Sequence, residues 1–194
     1  AAITREAFDR RVLELLAPYP VEVVVLAGYM LILSPVLCQR YLCLNLHPAL
    51  PQGPVGTWRQ VIWELLETEA METGAMLHLA TPVLDQGPVV SYCRFPIKGP
   101  ELEPLWEAYR QKRQRQTLAD LKAAEGEAEP LFAYIRREGR RREIPLILLT
   151  LRQLALGALQ LTPAGAVQDG RVVEGGLDLS EAVTTYLASQ ASNP

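Results

Sequence analysis

Residues 23–28 read V-V-V-L-A-G and residues 42–48 read L-C-L-N-L-H-P, and the fold class can be inferred from these two stretches. Short, uninterrupted apolar runs are typical of strands that are buried on both faces of a parallel sheet. Between the two runs, Ser34-Pro35 is a start signal for a short helix. A strand, a helix and a second strand in this order predict an open α/β sheet in which the two runs are adjacent parallel strands.

The rest of the chain continues the alternation of helices and strands. An apolar period after Thr4 predicts a helix over about residues 5–16. Further along, the pattern predicts a helix over about 57–69, strands over about 75–80 and 89–95, charged helices over 101–143 that divide near Gly126, an apolar helix from Pro145 to Leu156, and a hairpin around Gln168-Asp169-Gly170.

The composition narrows the classes of function. The 194 residues carry a net charge of -3, which argues against a chain built to hold nucleic acid. Cys38, Cys43 and Cys93 are an odd number without metal-type spacing, and with only His47 and His78 they predict no metal site and a reducing compartment. The longest uncharged stretch is shorter than the ~20 apolar residues of a spanning helix. We therefore expect a cytoplasmic protein with no membrane partner.

Polar side chains follow two of the predicted strands. Asn45 and His47 lie where the second strand ends, and Asp85 lies in a loop between two later strands. Ligands of open α/β sheets bind at such strand ends. An amide, an imidazole and a carboxylate can form an acyl-transfer site, in which they act as oxyanion donor, proton carrier and orienting group. The spacing alone is a weak signal, and the alternative interpretation is a capping Asn and a hydrogen-bonded loop His.

Three sequence blocks go beyond spacing: V-V-L-A-G-Y-M-L-I-L-S-P at 24–35, N-L-H-P-A-L at 45–50 and L-D-Q-G-P-V at 84–89. In this order they resemble the folate-dependent formyltransferases, and most closely the phosphoribosylglycinamide formyltransferases. The resemblance covers about residues 5–97 and continues loosely through Ile144-Pro145-Leu146 and the final hairpin. It implies an open, mostly parallel α/β sheet of the formyltransferase type.

The resemblance also implies a set of site residues. Asn45, His47 and Asp85 match the catalytic residues of the family, and His78 matches a histidine that supports them. The implied formyl donor is 10-formyltetrahydrofolate, with no metal. We expect side-chain or backbone contacts with the pterin ring of this donor at Leu26, Met30, Leu31, Leu33, Ala80 and Thr81. Core packing is the alternative interpretation of Met30, Leu31 and Leu33.

The implied reaction moves the formyl group to a primary amine of a small phosphorylated acceptor, as in purine biosynthesis. Asn45 and a protonated His47 would stabilise the oxyanion, and Asp85 would hold the charge of His47 and accept the proton of the amine. Two alternatives stay open: a formyltetrahydrofolate deformylase, in which water replaces the amine, and an inactive folate-binding protein.

The sequence departs from the family in several places. Family members begin with a βαβαβ stretch of roughly sixty residues whose Gly-rich first turn holds the acceptor phosphate, and we expect a fold without that N-terminal half. Leu31 replaces a family Arg, and Arg140-Arg141-Arg142-Glu143 replaces a Glu-His pair. Arg140 and Arg141 are therefore candidates to bind an anionic acceptor, the alternative being a solvated charged turn.

We divide this single formyltransferase-like domain, residues 1–194, into three regions. These are a donor-binding and catalytic core (1–99), a charged helical insertion (100–143) and a C-terminal helix with a hairpin (144–194). The insertion suits a solvated flap or the contact surface of a homodimer.

Overall fold

A computed structural model describes residues 4–29, 31–83 and 85–191. The helices are α1 (Arg5–Leu16), α2 (Pro35–Cys38), α3 (Trp58–Glu67), α4 (Glu103–Arg115), α5 (Leu118–Ala124), α6 (Pro130–Ala155) and α7 (Ser180–Ala191), with a short 3-10 helix (Gly126–Ala128) before α6. The strands are β1 (Val23–Leu26), β2 (Leu42–His47), β3 (Glu72–Leu79), β4 (Val89–Pro96), β5 (Gln160–Thr162), β6 (Gly165–Gln168), β7 (Arg171–Val172) and β8 (Leu177–Asp178).

Five strands form one open sheet in the order β1-β2-β3-β4-β8. β1 and β2 are adjacent and parallel, with Val23 opposite Leu42 and Leu26 opposite Asn45, which confirms the predicted pair. β4 and β8 are also parallel, whereas β2–β3 and β3–β4 are antiparallel. The loop between β3 and β4 is too short for the crossover that a parallel pair needs. The open α/β sheet is confirmed, and its pairings within the described residues are divided evenly between the two orientations.

Side-chain caps fix where two of the predicted helices in the first half of the chain begin. The Oγ1 atom of Thr4 accepts a hydrogen bond from the Ala7 amide at 3.2 Å and starts α1. Thr57 and Gln60 form a capping box at the start of α3, in which each side chain accepts from the other residue's backbone amide. These bonds satisfy amides that the first helical turn leaves without a partner.

Helix α6 corrects one prediction. Pro145 does not begin a helix, because it lies inside the continuous helix Pro130–Ala155. An interior proline usually costs about 3 kcal/mol, since it removes a backbone hydrogen bond. Here Pro145, Leu146 and Ile147 are buried, and the last two belong to the apolar core under the sheet. This burial offsets the loss, so tertiary packing overrides the local signal. The boundary drawn between residues 143 and 144 lies inside this helix.

The C-terminal part adds a second, three-stranded sheet, β5-β6-β7. β6 and β7 pair with Gln168 opposite Arg171, and Asp169 and Gly170 between them have positive φ angles of 50° and 74°. Two positive φ angles in a two-residue loop are the geometry of a tight hairpin turn, which confirms the predicted hairpin. Within the described ranges, none of the helices is both long and apolar enough to cross a bilayer.

Candidate functional site

Strand β2 carries two of the predicted site residues. It extends to His47, so Asn45 and His47 lie two residues apart on one face of the strand. Pro48 follows and ends the strand, because proline has no N–H to donate to the sheet. The loop after it turns back, and the carbonyl oxygen of Pro54 lies 2.9 Å from His47 Nε2. A carbonyl only accepts, so Nε2 of His47 carries a proton.

His78 is presented by strand β3, directly opposite Asn45. The pairing with β4 is irregular between Leu77 and His78, and such bulges commonly redirect a side chain at a site. Nδ1 of His78 donates to the carbonyl oxygen of Leu79 at 3.0 Å. Burial lowers the pKa of His78, so its ring is neutral and Nε2 accepts a hydrogen bond from Asn45 Nδ2 at 3.0 Å. His78 thereby fixes the orientation of the Asn45 amide.

Asp85 reaches this group from the loop between β3 and β4. Its Oδ2 atom lies 3.5 Å from His47 Nδ1. Its Oδ1 atom lies 3.5 Å from both Asn45 Nδ2 and His78 Nε2. The Asp85 side chain is only 5% exposed, so water screens these contacts weakly. The structure thus brings Asn45, His47 and Asp85 together around His78.

Backbone geometry holds the Asp85 loop in place. Asp85 has a φ of 52°, in the left-handed region that Asp and Asn enter more readily than most residues. Gly87 passes so close to β3 that a Cβ atom there would lie 1.6 Å from the Leu79 carbonyl oxygen. The loop therefore needs glycine at 87 to bring Asp85 over the end of the strand.

The four side chains line a cavity of about 400 Å³. That volume is within the range of small-molecule sites. Five of the residues predicted to contact the donor line the same cavity, and Met30, the sixth, lies outside the described residues. The five are Leu26, Leu31, Leu33, Ala80 and Thr81. Their shared location is compatible with the predicted donor site, and their roles stay predictions.

A polar wall of the cavity was not foreseen from the sequence. Trp58, Arg136 and Glu143 line it as well. The Arg136 guanidinium donates from Nη1 to Glu143 Oε1 at 2.8 Å and lies 4.3 Å from the centroid of the Trp58 ring. Arg136 and Glu143 are seven residues apart, which places them two turns along one face of α6. That spacing was the available signal, but it lay in a region assigned to an insertion.

Arg140 and Arg141, the predicted acceptor-binding residues, do not line this cavity, and their role stays a prediction. They border a neighbouring, more open cavity of about 510 Å³ that shares Arg136 with the first. Both residues lie on the continuous helix α6 and border this second cavity together with Arg136 and Arg137.

The family model for formyl transferases matches residues 2–117. The chain is 41% identical over 98 residues to phosphoribosylglycinamide formyltransferase of Escherichia coli K12, covering 48% of this chain and 44% of the relative. Phosphoribosylglycinamide formyltransferase from Coxiella burnetii superposes with a TM-score of 0.57 at 21% identity, over 90% of this chain and 69% of that one. A formyltetrahydrofolate deformylase from Pseudomonas syringae gives 0.57 at 22% identity, over 84% and 45%. At these identities the two structures support the fold alone.

The chain spans about half the length of the curated relatives that it matches. The family match nevertheless extends over more than half of the 194 residues and contains Asn45, His47, His78 and Asp85. On the strength of this match, the chain belongs to the formyl transferase family.

Proposed function

We propose that this chain carries the site at which a formyl group passes from 10-formyltetrahydrofolate to the primary amine of a small phosphorylated acceptor. The observation that carries the proposal is the Asp85 carboxylate, which lies within 3.5 Å of His47, His78 and Asn45 at the wall of one cavity. The name phosphoribosylglycinamide formyltransferase, borne by its curated relatives, supports an acceptor of that type and a place in purine biosynthesis. A cytoplasmic location and a homodimer belong to the same proposal.

The apolar part of the cavity suits the flat ring of the donor. Leu26, Leu31 and Leu33 offer apolar surface beside Ala80 and Thr81, where backbone groups can hydrogen-bond to the edge of a ring. No residue of this wall brings a charge, so a neutral pterin can enter without leaving a charged side chain unpaired. The formyl carbon would then face Asn45 and His47 on β2.

In the proposed reaction, the amine nitrogen attacks the formyl carbon and the carbonyl oxygen becomes an oxyanion. Asn45 Nδ2 is held by His78 at 3.0 Å and contacts Asp85 at the longer distance of 3.5 Å. The longer contact is the weaker one, so the N–H that faces Asp85 is the donor that an oxyanion can capture. A protonated His47 adds a positive charge beside it, stabilised by Asp85.

Proton transfer completes the exchange. As the new C–N bond forms, the amine loses a proton, which Asp85 can accept directly or through water. As the bond between the formyl carbon and N10 breaks, a proton is returned to N10. The products are the formylated amine and tetrahydrofolate, and Asp85 is again a carboxylate. His78 takes no proton in this scheme, because its neutral ring serves to position Asn45.

The test measures release of tetrahydrofolate from 10-formyltetrahydrofolate, with and without phosphoribosylglycinamide, together with the mass of the product. The proposal expects release that depends on the amine and a product heavier by one formyl group. Release without amine would instead indicate a deformylase, and donor binding without release would indicate a folate-binding protein. His47→Ala should abolish amine-dependent release while the donor still binds.

A further inference from the structure

An arginine-rich surface on α6 adjoins the catalytic cavity. Residues 136–143 contain five arginines and two glutamates, a local excess of positive charge in a chain whose net charge is -3. Four of these residues border the open cavity of about 510 Å³, and we call them the arginine cluster: Arg136, Arg137, Arg140 and Arg141. Such a concentration of guanidinium groups on one surface is a typical binding site for phosphate or carboxylate.

The acidic residues nearby do not neutralise the cluster. Glu138, whose side chain is 11% exposed, contacts Arg137, Arg141 and Arg142, so three guanidinium groups share one carboxylate. Arg140 has no carboxylate within ion-pair distance in the part of the chain that the structure describes. The buried Glu138 therefore orients its neighbours and leaves a positive excess at the surface.

The cavity beside the cluster can receive an anion. Its other lining residues are Phe132, Ala133 and Glu127. Glu127 is paired with Arg59, so its charge is already matched. Arg136 stands in the wall between this cavity and the catalytic one, where it is paired with Glu143. The two cavities therefore adjoin at Arg136.

We propose that the arginine cluster binds an anionic group, phosphate or carboxylate, of a substrate whose reacting end lies in the catalytic cavity. This inference rests on the proposed function and names a charge-binding subsite for it. Two sources carry this chemistry: the phosphate of the acceptor and the glutamyl carboxylates of the donor. The cluster adjoins the catalytic cavity at Arg136, so its position is compatible with either source, and the two are separated by experiment.

The first experiment measures binding of inorganic phosphate to the full chain by calorimetry. The variant is Arg137→Gln with Arg140→Gln, and the matched control is Arg115→Gln, an exposed arginine at the end of α4 that borders neither cavity. We expect the double variant to weaken phosphate binding by about tenfold or more and the control to leave it within about twofold, since charge-assisted contacts to arginine are lost only in the first. This readout needs no formyl transfer, so it separates failure of the subsite from failure of the proposed function.

The second experiment distinguishes the two sources of the anion. Tetrahydrofolate with one and with five glutamyl groups tests the donor, and phosphoribosylglycinamide with and without its phosphate tests the acceptor. If the double variant binds only the phosphorylated acceptor more weakly than wild type does, the cluster is assigned to the acceptor. If it binds only the pentaglutamyl form more weakly, the cluster is assigned to the donor. Equal affinities of wild type and double variant for inorganic phosphate and for all four compounds would overturn the proposal.

Discussion

Replacing Asp85 by Asn tests the centre of the site with a small change of shape. Asn has almost the same volume and also enters the left-handed region, so the backbone at φ 52° can be kept. The substitution removes the negative charge that faces His47 Nδ1 at 3.5 Å, and it removes the group proposed to accept the proton of the amine.

The size of the effect follows from the geometry. Two opposite unit charges at that distance attract each other by about 5 kcal/mol at an effective dielectric constant of about 20. Only the part that differs between ground state and transition state affects the rate, so the expected loss is smaller than this. Together with the lost proton acceptor, we expect kcat to fall by about 10²–10³-fold, or about 3–4 kcal/mol in activation free energy.

Steady-state kinetics with 10-formyltetrahydrofolate and phosphoribosylglycinamide, combined with donor binding, provide the measurement. Asp169→Asn is the matched control, because Asp169 is exposed on the hairpin and has a similar φ of 50°. The control should keep the wild-type kcat, and both variants should bind the donor. A kcat within about threefold of wild type in Asp85→Asn would refute the proposed role, since loss of an acid–base group typically costs at least about 10²-fold.

Four further substitutions give three independent tests. Asn45→Ala removes the proposed oxyanion donor and should lower kcat by about 10²–10³-fold with donor affinity retained; an unchanged kcat would contradict the role. Burial lowers the pKa of His78 in the folded chain. Between that pKa and about 6.5, the unfolded chain therefore binds more protons than the folded chain does. The free energy of unfolding should thus decrease as pH falls below about 6.5. Urea titrations at several pH values give the free energy of unfolding as a function of pH. This pH dependence should be weaker for His78→Gln than for wild type, and an equal dependence would contradict the assignment. Gly87→Ala should lower stability and activity, because its Cβ would meet the Leu79 carbonyl. Gly139→Ala has open space around the new Cβ inside α6 and should raise the free energy of unfolding by about 0.5–1 kcal/mol. Unfolding midpoints equal to that of wild type would contradict both expectations.

The half of the fold that carries Asn45, His47 and Asp85 could be predicted because its signals are local. Two apolar runs, and Pro48 directly after the second, are enough to place β1, β2 and the end of β2, and with them Asn45 and His47. Asp85 followed from its loop and from the family resemblance. The side chains of this group come from two neighbouring strands and one loop, so few long-range contacts had to be known.

The polar wall could not be predicted from local signals, because its residues come from distant parts of the sequence. Trp58 and Arg136 lie on α3 and α6, far apart in sequence, and meet only because these helices pack together. The length of α6 was missed because Pro145 is a strong local stop signal that burial against the sheet overrides. β8 has only two residues, which is too short for any periodic pattern to reveal.

The unbroken course of α6 has a consequence for ligand length. A helix advances about 1.5 Å per residue and resists stretching, so Arg140 and Glu143 stand about 4.5 Å apart along its axis and Arg136 and Glu143 about 10 Å apart. The second half of the same helix is fixed to the core through Leu146 and Ile147. If one molecule occupies both cavities as proposed, α6 keeps the backbone positions of Arg136, Arg140 and Glu143 at fixed separations along its axis, and only their side chains can adjust. We therefore expect binding to depend on the length of the molecule between its charged group and its reacting group.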